Sequence, residues 1–255
     1  VRLPIFDDAT DVKHFILASV ERSLDRLKTD YIDLLQIHHQ VGNIRGKYQF
    51  RDNPPEFATR LNYADCEEIY DCTESLRNTG KVRFLGFTGW DGDYEAQKKL
   101  IYSDKFSSMQ VLYNILNQSA DGVARHTPHE NDQGFGDGES CVMNLAKENG
   151  VALICIRPFA NGAIVDKIKS EKQQNKQIYT EHQLVKKMKL QLGREDLSLA
   201  QIALLFCLAN KKFSTIIPGF KNASELNEIT SIYGFRDLST QDIDEEVFTR
   251  YKKII

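Results

Sequence analysis

The chain has 255 residues, 41% hydrophobic and 27% charged, the makeup of one or two globular domains, and α/β barrels of this length form a single one. A net charge of −3 supplies no basic field for nucleic acid, and no apolar run reaches the roughly 20 residues that a membrane-spanning helix needs. Five scattered cysteines without a CxxC pair read as reduced thiols rather than a disulfide frame or a zinc site, so a cytoplasmic protein without a metal centre is expected.

From Asp11 to Lys28, Val12, Phe15, Ile16, Ser19, Val20, Ser23, Leu24 and Leu27 recur at i, i+3, i+4, i+7 spacing, so the segment is a helix with one largely apolar face. Asp11, or Thr10 before it, caps the start. The run YIDLLQIH, Tyr31–His38, is too short for a good helix and too continuous for a half-exposed strand. It reads as a strand buried on both faces, the habit of parallel sheets. Asp65 to Gly80 is the next helix, with Gly80 as its stop. VRFLGFTG, from Val82, is the second strand, and Gly86 within it permits close backbone approach. A helix over Asp91–Tyr102 leads to a third strand in SSMQVLYNIL, from Ser107. Glu139–Asn149 is helical, Gly150 ends it, and Val151–Ile156 is a fourth strand closed by Pro158. Helices over Thr180–Leu192 and Leu197–Asn210 flank Gly193, and FSTIIPG, from Phe213, is the fifth strand. Asn222 caps a helix over Ala223–Tyr233, and an acidic stretch from Ser239 begins a terminal helix.

Strands alternating with helices define a parallel α/β fold built from right-handed crossovers. The long connections Gln40–Tyr63, Asn117–Asp137 and Phe159–Ile178 all follow the C-terminal ends of strands, the edge that carries sites in such folds. No GxGxxG follows any strand, which counts against a Rossmann dinucleotide domain.

Five motifs in register resemble those of the aldo-keto reductases. SLDRLKTDYIDLLQIH, Ser23 to His38, is similar to the family pattern SLxRLGxDYxDLxxIH. SLRNTGKVRFLGFTG, Ser75 to Gly89, is similar to LxxLxxxGKxRxxGxSN, and QVLYN, Gln110 to Asn114, to QxxYN. RPFANG, Arg157 to Gly162, and IPGFKNASELNEI, Ile217 to Ile229, resemble the family's xPLAxG and IPGxxxxxQLEEN. The resemblance runs from about Thr10 to the C-terminus. It implies a (β/α)8 TIM barrel that binds NADP or NAD without a Rossmann domain. It also implies reduction of a carbonyl, or oxidation of an alcohol, by hydride transfer.

The family's catalytic group is an Asp, a Tyr, a Lys and a His. Tyr is the general acid, Lys lowers its pKa, Asp pairs with Lys, and His hydrogen-bonds the carbonyl. Here only the His has a counterpart, His38. VRLPIFDD at the start resembles the residues directly after the family's Lys, so the barrel's first three strands are expected to lie outside these 255 residues. The chain would then be a single domain over 1–255, the C-terminal three quarters of a barrel. A partner supplying those strands, or a free-standing degenerate barrel, are the less favoured alternatives.

His38 is expected to face the site and His39 to face away and serve the loop, because adjacent strand residues point to opposite faces. The same geometry disfavours a metal pair. Asp33 reads as a structural acid paired with a neighbouring basic or backbone group. Thr88 and Gln110 stand where the family binds the nicotinamide carboxamide, and Gly89 stands where it usually has Asn. Ile156 replaces a stacking aromatic, and Arg157 is either a rim salt bridge or a phosphate contact. Arg157, Pro158, Phe159 and Gly162 form one candidate cofactor loop; Pro218, Gly219, Phe220 and Lys221, before a helix N-terminus, form the other. The resemblance slightly favours NADP, but Glu225 stands where some members carry an Arg for the 2′-phosphate, and Ile229 where the family usually has Asn for adenine, which weakens NADP and leaves NAD open. His126, His129, Glu130, Asp132 and Asp137 read as a solvated loop rather than a metal site.

Two functions fit these residues: an NAD(P)-dependent reductase acting on a small carbonyl or alcohol, or a catalytically degenerate binding or regulatory subunit favoured by Gly89, Ile156, Glu225 and Ile229. Arg45, Lys47, Tyr48, Phe50 and Arg51 in the first long loop lean the substrate towards something polar or sugar-like. The sequence sets no oligomeric state.

Overall fold

A computed structural model describes residues 11–47, 59–89, 93–123, 135–136, 138–168 and 175–232. The elements in chain order are α1 (Val12–Leu27), β1 (Ile32–Ile37), β2 (Gly46–Lys47), β3 (Thr59–Arg60), α2 (Tyr63–Asn78), β4 (Val82–Thr88), α3 (Tyr94–Tyr102), β5 (Ser108–Leu112), α4 (Val142–Glu148), β6 (Ala152–Ile156), α5 (Lys176–Leu192), α6 (Leu199–Ala209), β7 (Phe213–Ile217) and α7 (Ala223–Thr230). The terminal helix expected from Ser239, and the polar loop with His126, His129, Glu130, Asp132 and Asp137, lie outside the described residues.

The expected alternation of strand and helix holds. Five strands form a sheet in the order β1-β4-β5-β6-β7, with β1 parallel to β4 and β4 parallel to β5. The chain divides into two compact units, one drawn from Val1–Val111 and Glu130–Leu153, the other from Leu112–His129 and Ile154–Ile255.

In the first unit β1 buries one face only. Leu35 and Ile37 pair in register with Leu85 and Phe87, and all four are buried in the core. Ile32, Leu34 and Gln36, on the other face, are half-buried. The two-sided burial expected of these strands is therefore not met: helices cover one face, and among the described residues the other face is left part-open. In the second unit β7 ends the sheet order and has no fully buried residue. Its neighbour α6, LAQIALLFCLA, is buried along most of its length and joins Ile229 and Ile232 of the α7 segment in a core cluster through Ala200 and Leu204.

Capping sets the helix starts. Asp11 accepts the His14 N–H at 2.8 Å, as its position predicts. Helix α2 begins at Tyr63, before the expected Asp65, because Asn62 is the cap and Asp65 closes a capping box onto it. Likewise Asn175 starts α5 at Lys176, ahead of the expected Thr180.

The first long loop is not irregular throughout. β2 and β3 pair antiparallel inside it, and the Arg45 guanidinium grips the buried Asp65 carboxylate through Nε at 3.1 Å to each oxygen and through Nη2. Arg45 thus staples the loop to α2. Asp33 is paired with Arg83, whose Nη1 donates to it at 2.6 Å, the structural role expected of it.

Candidate active site

Register joins the candidate residues of the first unit. Thr88, the last residue of β4, lies opposite Gln110 of β5, and its hydroxyl donates to Gln110 Oε1 at 3.3 Å. Thr88 is buried and Gln110 half-buried. With its carbonyl oxygen so engaged, Gln110 still has two amide N–H groups that can donate. The Gly89 N–H donates to the Gln110 carbonyl at 2.8 Å, fixing the two strand ends together. A side chain at Gly89 would require Met109 to move: its Cβ would lie 2.0 Å from Met109 Cε. Met109 is buried, so the place of the family's Asn is filled from the next strand.

One layer towards the strand N-termini, Gln36, Gly86 and Ser108 share the same face. Ser108 Oγ donates to Gln36 Oε1 at 3.2 Å, and Gln36 Nε2 donates to the Phe87 carbonyl at 3.1 Å. A Cβ on Gly86 would lie 1.9 Å from Gln36 Oε1 and 2.2 Å from Ser108 Oγ. Gly86 therefore makes room for two polar side chains, not for a second backbone as expected. Directly after β1 the chain bends: His38 is exposed, while His39 and Gln40 are 3% and 5% exposed. His39 is thus buried rather than serving an open loop, the role expected of it.

The second unit carries the other candidates. After β6 the chain makes a tight turn in which Arg157, Ala160 and Asn161 have φ of 58°, 44° and 57°, and Gly162 has 85°. Asn114 Nδ2 donates to the Arg157 carbonyl at 3.0 Å. The N–H groups of Ala160, Gly162, Ala163 and Ile164 all donate within the turn. The expected row of outward amides is therefore largely consumed, and the turn instead displays side chains. Pro158 is buried, Phe159 packs on the Ala200–Leu204–Ile229–Ile232 cluster, and Arg157 is half-exposed.

Beyond β7, Pro218 is half-buried, while Gly219, Phe220 and Lys221 are exposed. Pro218 and Phe220 line a groove of about 340 Å³ that reaches Phe213, Leu226 and Ile229. The N-terminus of α7 is already answered from within the chain: Glu225 Oε2 accepts the Lys221 N–H at 2.7 Å, and Glu225 Oε1 accepts from Asn222 Nδ2 at 3.2 Å. The anion seat expected there is held by this carboxylate. Ile229 is a core residue and not a surface substitute for an adenine-binding Asn.

Several groups were not legible in the sequence. Gln36 carries the same signal as Gln110, a Gln inside an apolar strand, yet only Gln110 was singled out. Tyr113 of the QVLYN motif stacks on Phe206 at 5.6 Å and meets Phe213 edge-on at 5.1 Å, and burial pushes its hydroxyl well above the usual phenol range. It is a core residue. All five cysteines are free and buried, and burial pushes the Cys66 and Cys207 thiols up.

Residues 8–246 match the aldo/keto reductase family model, and the chain belongs to that family. The uncharacterized oxidoreductase YqkF of Bacillus subtilis is 23% identical over 237 residues, 91% of this chain and 64% of that protein. L-galactose dehydrogenase of Arabidopsis thaliana is 21% identical over 247 residues, 93% of this chain and 63% of that protein. Among solved structures, the apo form of aldo-keto reductase AKR11C1 from Bacillus halodurans matches with a TM-score of 0.58 at 23% identity, covering 86% of this chain and 62% of that one. The fold is thus the α/β fold of the aldo-keto reductases, and the chain spans just over three fifths of the length of these relatives.

Proposed function

We propose that this chain carries the nicotinamide-dinucleotide site of an oxidoreductase that reduces a small-molecule carbonyl or oxidises the matching alcohol. The observation behind this reading is the Thr88–Gln110 pair, two polar side chains joined where β4 ends beside β5, in which the Gln110 oxygen accepts and its amide can donate to a ligand carbonyl. Such a pair fits a carboxamide, which needs a donor and an acceptor side by side. When bound, the nicotinamide would supply the hydride. Thr88 fixes the Gln110 amide plane, and Gln110 donates to the carboxamide oxygen. His38, exposed just beyond β1, hydrogen-bonds the substrate oxygen and orients it. Within the second unit, Arg157 and Lys221 carry positive charge of the kind that phosphates attract, with Phe159 and Gly162 shaping the Arg157 turn.

The fit is better for NAD than for NADP. Glu225 holds the Lys221 N–H, so a 2′-phosphate brought there would meet a carboxylate. A ribose hydroxyl could instead donate to it. The substrate is proposed to be small and polar, as the name of the Arabidopsis relative suggests for that protein. Arg45 does not add to this lean, since its guanidinium is engaged with Asp65. The relatives' names as oxidoreductase, dehydrogenase and reductase favour an enzyme over a binding subunit.

Titration of the chain with NADH and NADPH, followed by protein fluorescence or calorimetry, tests the proposal. Saturable binding is expected, weakened about tenfold in Gln110→Leu, the worth of one to two hydrogen bonds. No binding of either nucleotide at millimolar concentration would overturn it.

A further inference from the structure

The turn after β6 is held in a conformation that its own residues disfavour. Arg157, Ala160 and Asn161 all lie in the left-handed region, and none is glycine. Backbone of this kind persists only where surrounding structure over-determines it. The start of the turn is fixed by Asn114 through the Arg157 carbonyl. Its exit is fixed from helix α5. His182, 4% exposed, places Nδ1 3.0 Å from the Ala163 carbonyl. A carbonyl can only accept, so Nδ1 carries the hydrogen and donates. Two turns further along α5, Lys189 Nζ donates to Asp166 Oδ1 at 3.2 Å, and Asp166 Oδ2 accepts the Leu199 N–H at the start of α6 at 3.1 Å.

We infer that His182 is a positioning residue for the Arg157–Gly162 turn, holding it through the Ala163 carbonyl in the shape that presents Arg157 to a dinucleotide. The ligand half of this inference rests on the dinucleotide reading above; the pin itself does not. Glu181, its neighbour on α5, accepts from Gln177 at 3.1 Å. With the pin removed, Ala163 and Ile164 lose the constraint that keeps their amides inside the turn.

The test compares three variants of the full chain. His182→Asn keeps a donor where Nδ1 stands; His182→Gln keeps a polar side chain but carries its donor past that point; His182→Leu has no donor. Amide hydrogen exchange is read at Ala163 and Ile164 without ligand, alongside the affinity for NADH. Exchange at both amides is expected to rise tenfold or more in His182→Leu and His182→Gln, and the NADH dissociation constant to rise about tenfold. His182→Asn should stay within threefold of wild type in both, and α6 exchange should be unchanged throughout. Unchanged exchange at Ala163 and Ile164 in His182→Gln would overturn the pin, as would failure of His182→Asn to rescue. Faster exchange with unaltered NADH affinity would overturn the positioning role. If wild type binds no dinucleotide, the ligand half falls with the parent reading, while the exchange data still decide the pin.

Discussion

Gln36 and Ser108, 72 residues apart, are joined by a 3.2 Å hydrogen bond across the space a Gly86 side chain would occupy. Adding a methyl group there forces both polar ends to move, and Gln36 loses one or both partners. Gly86→Ala should therefore destabilise the chain by about 1–3 kcal/mol, the range for leaving buried polar groups unsatisfied. In a Gln36→Ala background the same change should cost much less, because the nearest obstructing atom is gone. Urea unfolding of the four-member cycle measures this coupling, and simple additivity would refute it.

Under the proposed function, Glu225 is the residue that disfavours a 2′-phosphate. Replacing it with Arg frees the Lys221 N–H and reverses the charge beside it. The ratio of NADPH to NADH affinity should rise about tenfold, of the order expected for reversing one charge at a solvent-exposed site. Parallel titrations with both nucleotides give the ratio, and an unchanged value would detach Glu225 from selectivity.

Arg45 and Asp65 bind the first long loop to α2. Asp65 is almost fully buried while Arg45 keeps some exposure, so Arg45→Ala should cost about 2 kcal/mol, less than a fully buried pair would. Arg45→Lys should recover only part of this, since an ammonium cannot reproduce the two-oxygen grip. Urea midpoints of the three proteins order them.

Glu67 accepts from Lys105 Nζ at 2.7 Å and from the Tyr63 hydroxyl at 3.1 Å. The Lys105 hydrogen bond holds the Glu67 carboxyl below its ordinary range, and Glu67 in turn raises the Lys105 ammonium. A lowered folded-state acid adds stability above its unfolded value, lost as pH falls through the folded one. A raised ammonium adds stability below its unfolded value, lost as pH rises through the folded one. Lys105→Met should therefore unfold more easily than wild type between about pH 5 and pH 9, with the gap closing on acidification below the carboxylate range. Denaturation midpoints across pH show whether it closes.

Thiol labelling offers a direct check on burial. All five cysteines should resist a maleimide in the native state and label together once urea unfolds the chain. Cys72, 9% exposed, should lead, and Cys66 and Cys207, at 0%, should trail.

Sequence patterns carried the elements far better than the details of the site. Periodicity over Asp11–Lys28 located the helix at Val12–Leu27, and the short continuous apolar run Tyr31–His38 located the strand at Ile32–Ile37, though not its one-sided burial. The caps Asp11 and Asn222 were equally readable, as their chemistry is local. Asn62 and Asn175 were passed over because no apolar run begins directly beside them. Thr88 and Gln110 were found through motif spacing, and the structure does join them. Glu225 folding back onto Lys221, Met109 filling the place beside Gly89, and His182 reaching Ala163 are matters of side-chain direction, which linear order does not encode.

The outer edge of β7 has a practical bearing. Ile217 and Phe220 are each half-exposed, and no strand pairs with that edge among the described residues. Unpaired backbone beside exposed apolar side chains is a template for recruiting further strands. Concentrated solutions of the chain should turn over from clear to turbid in a second-order fashion. Ile217→Lys, at the strand's last position, should delay that onset without touching the Thr88–Gln110 pair, which makes it a sensible background for handling the protein.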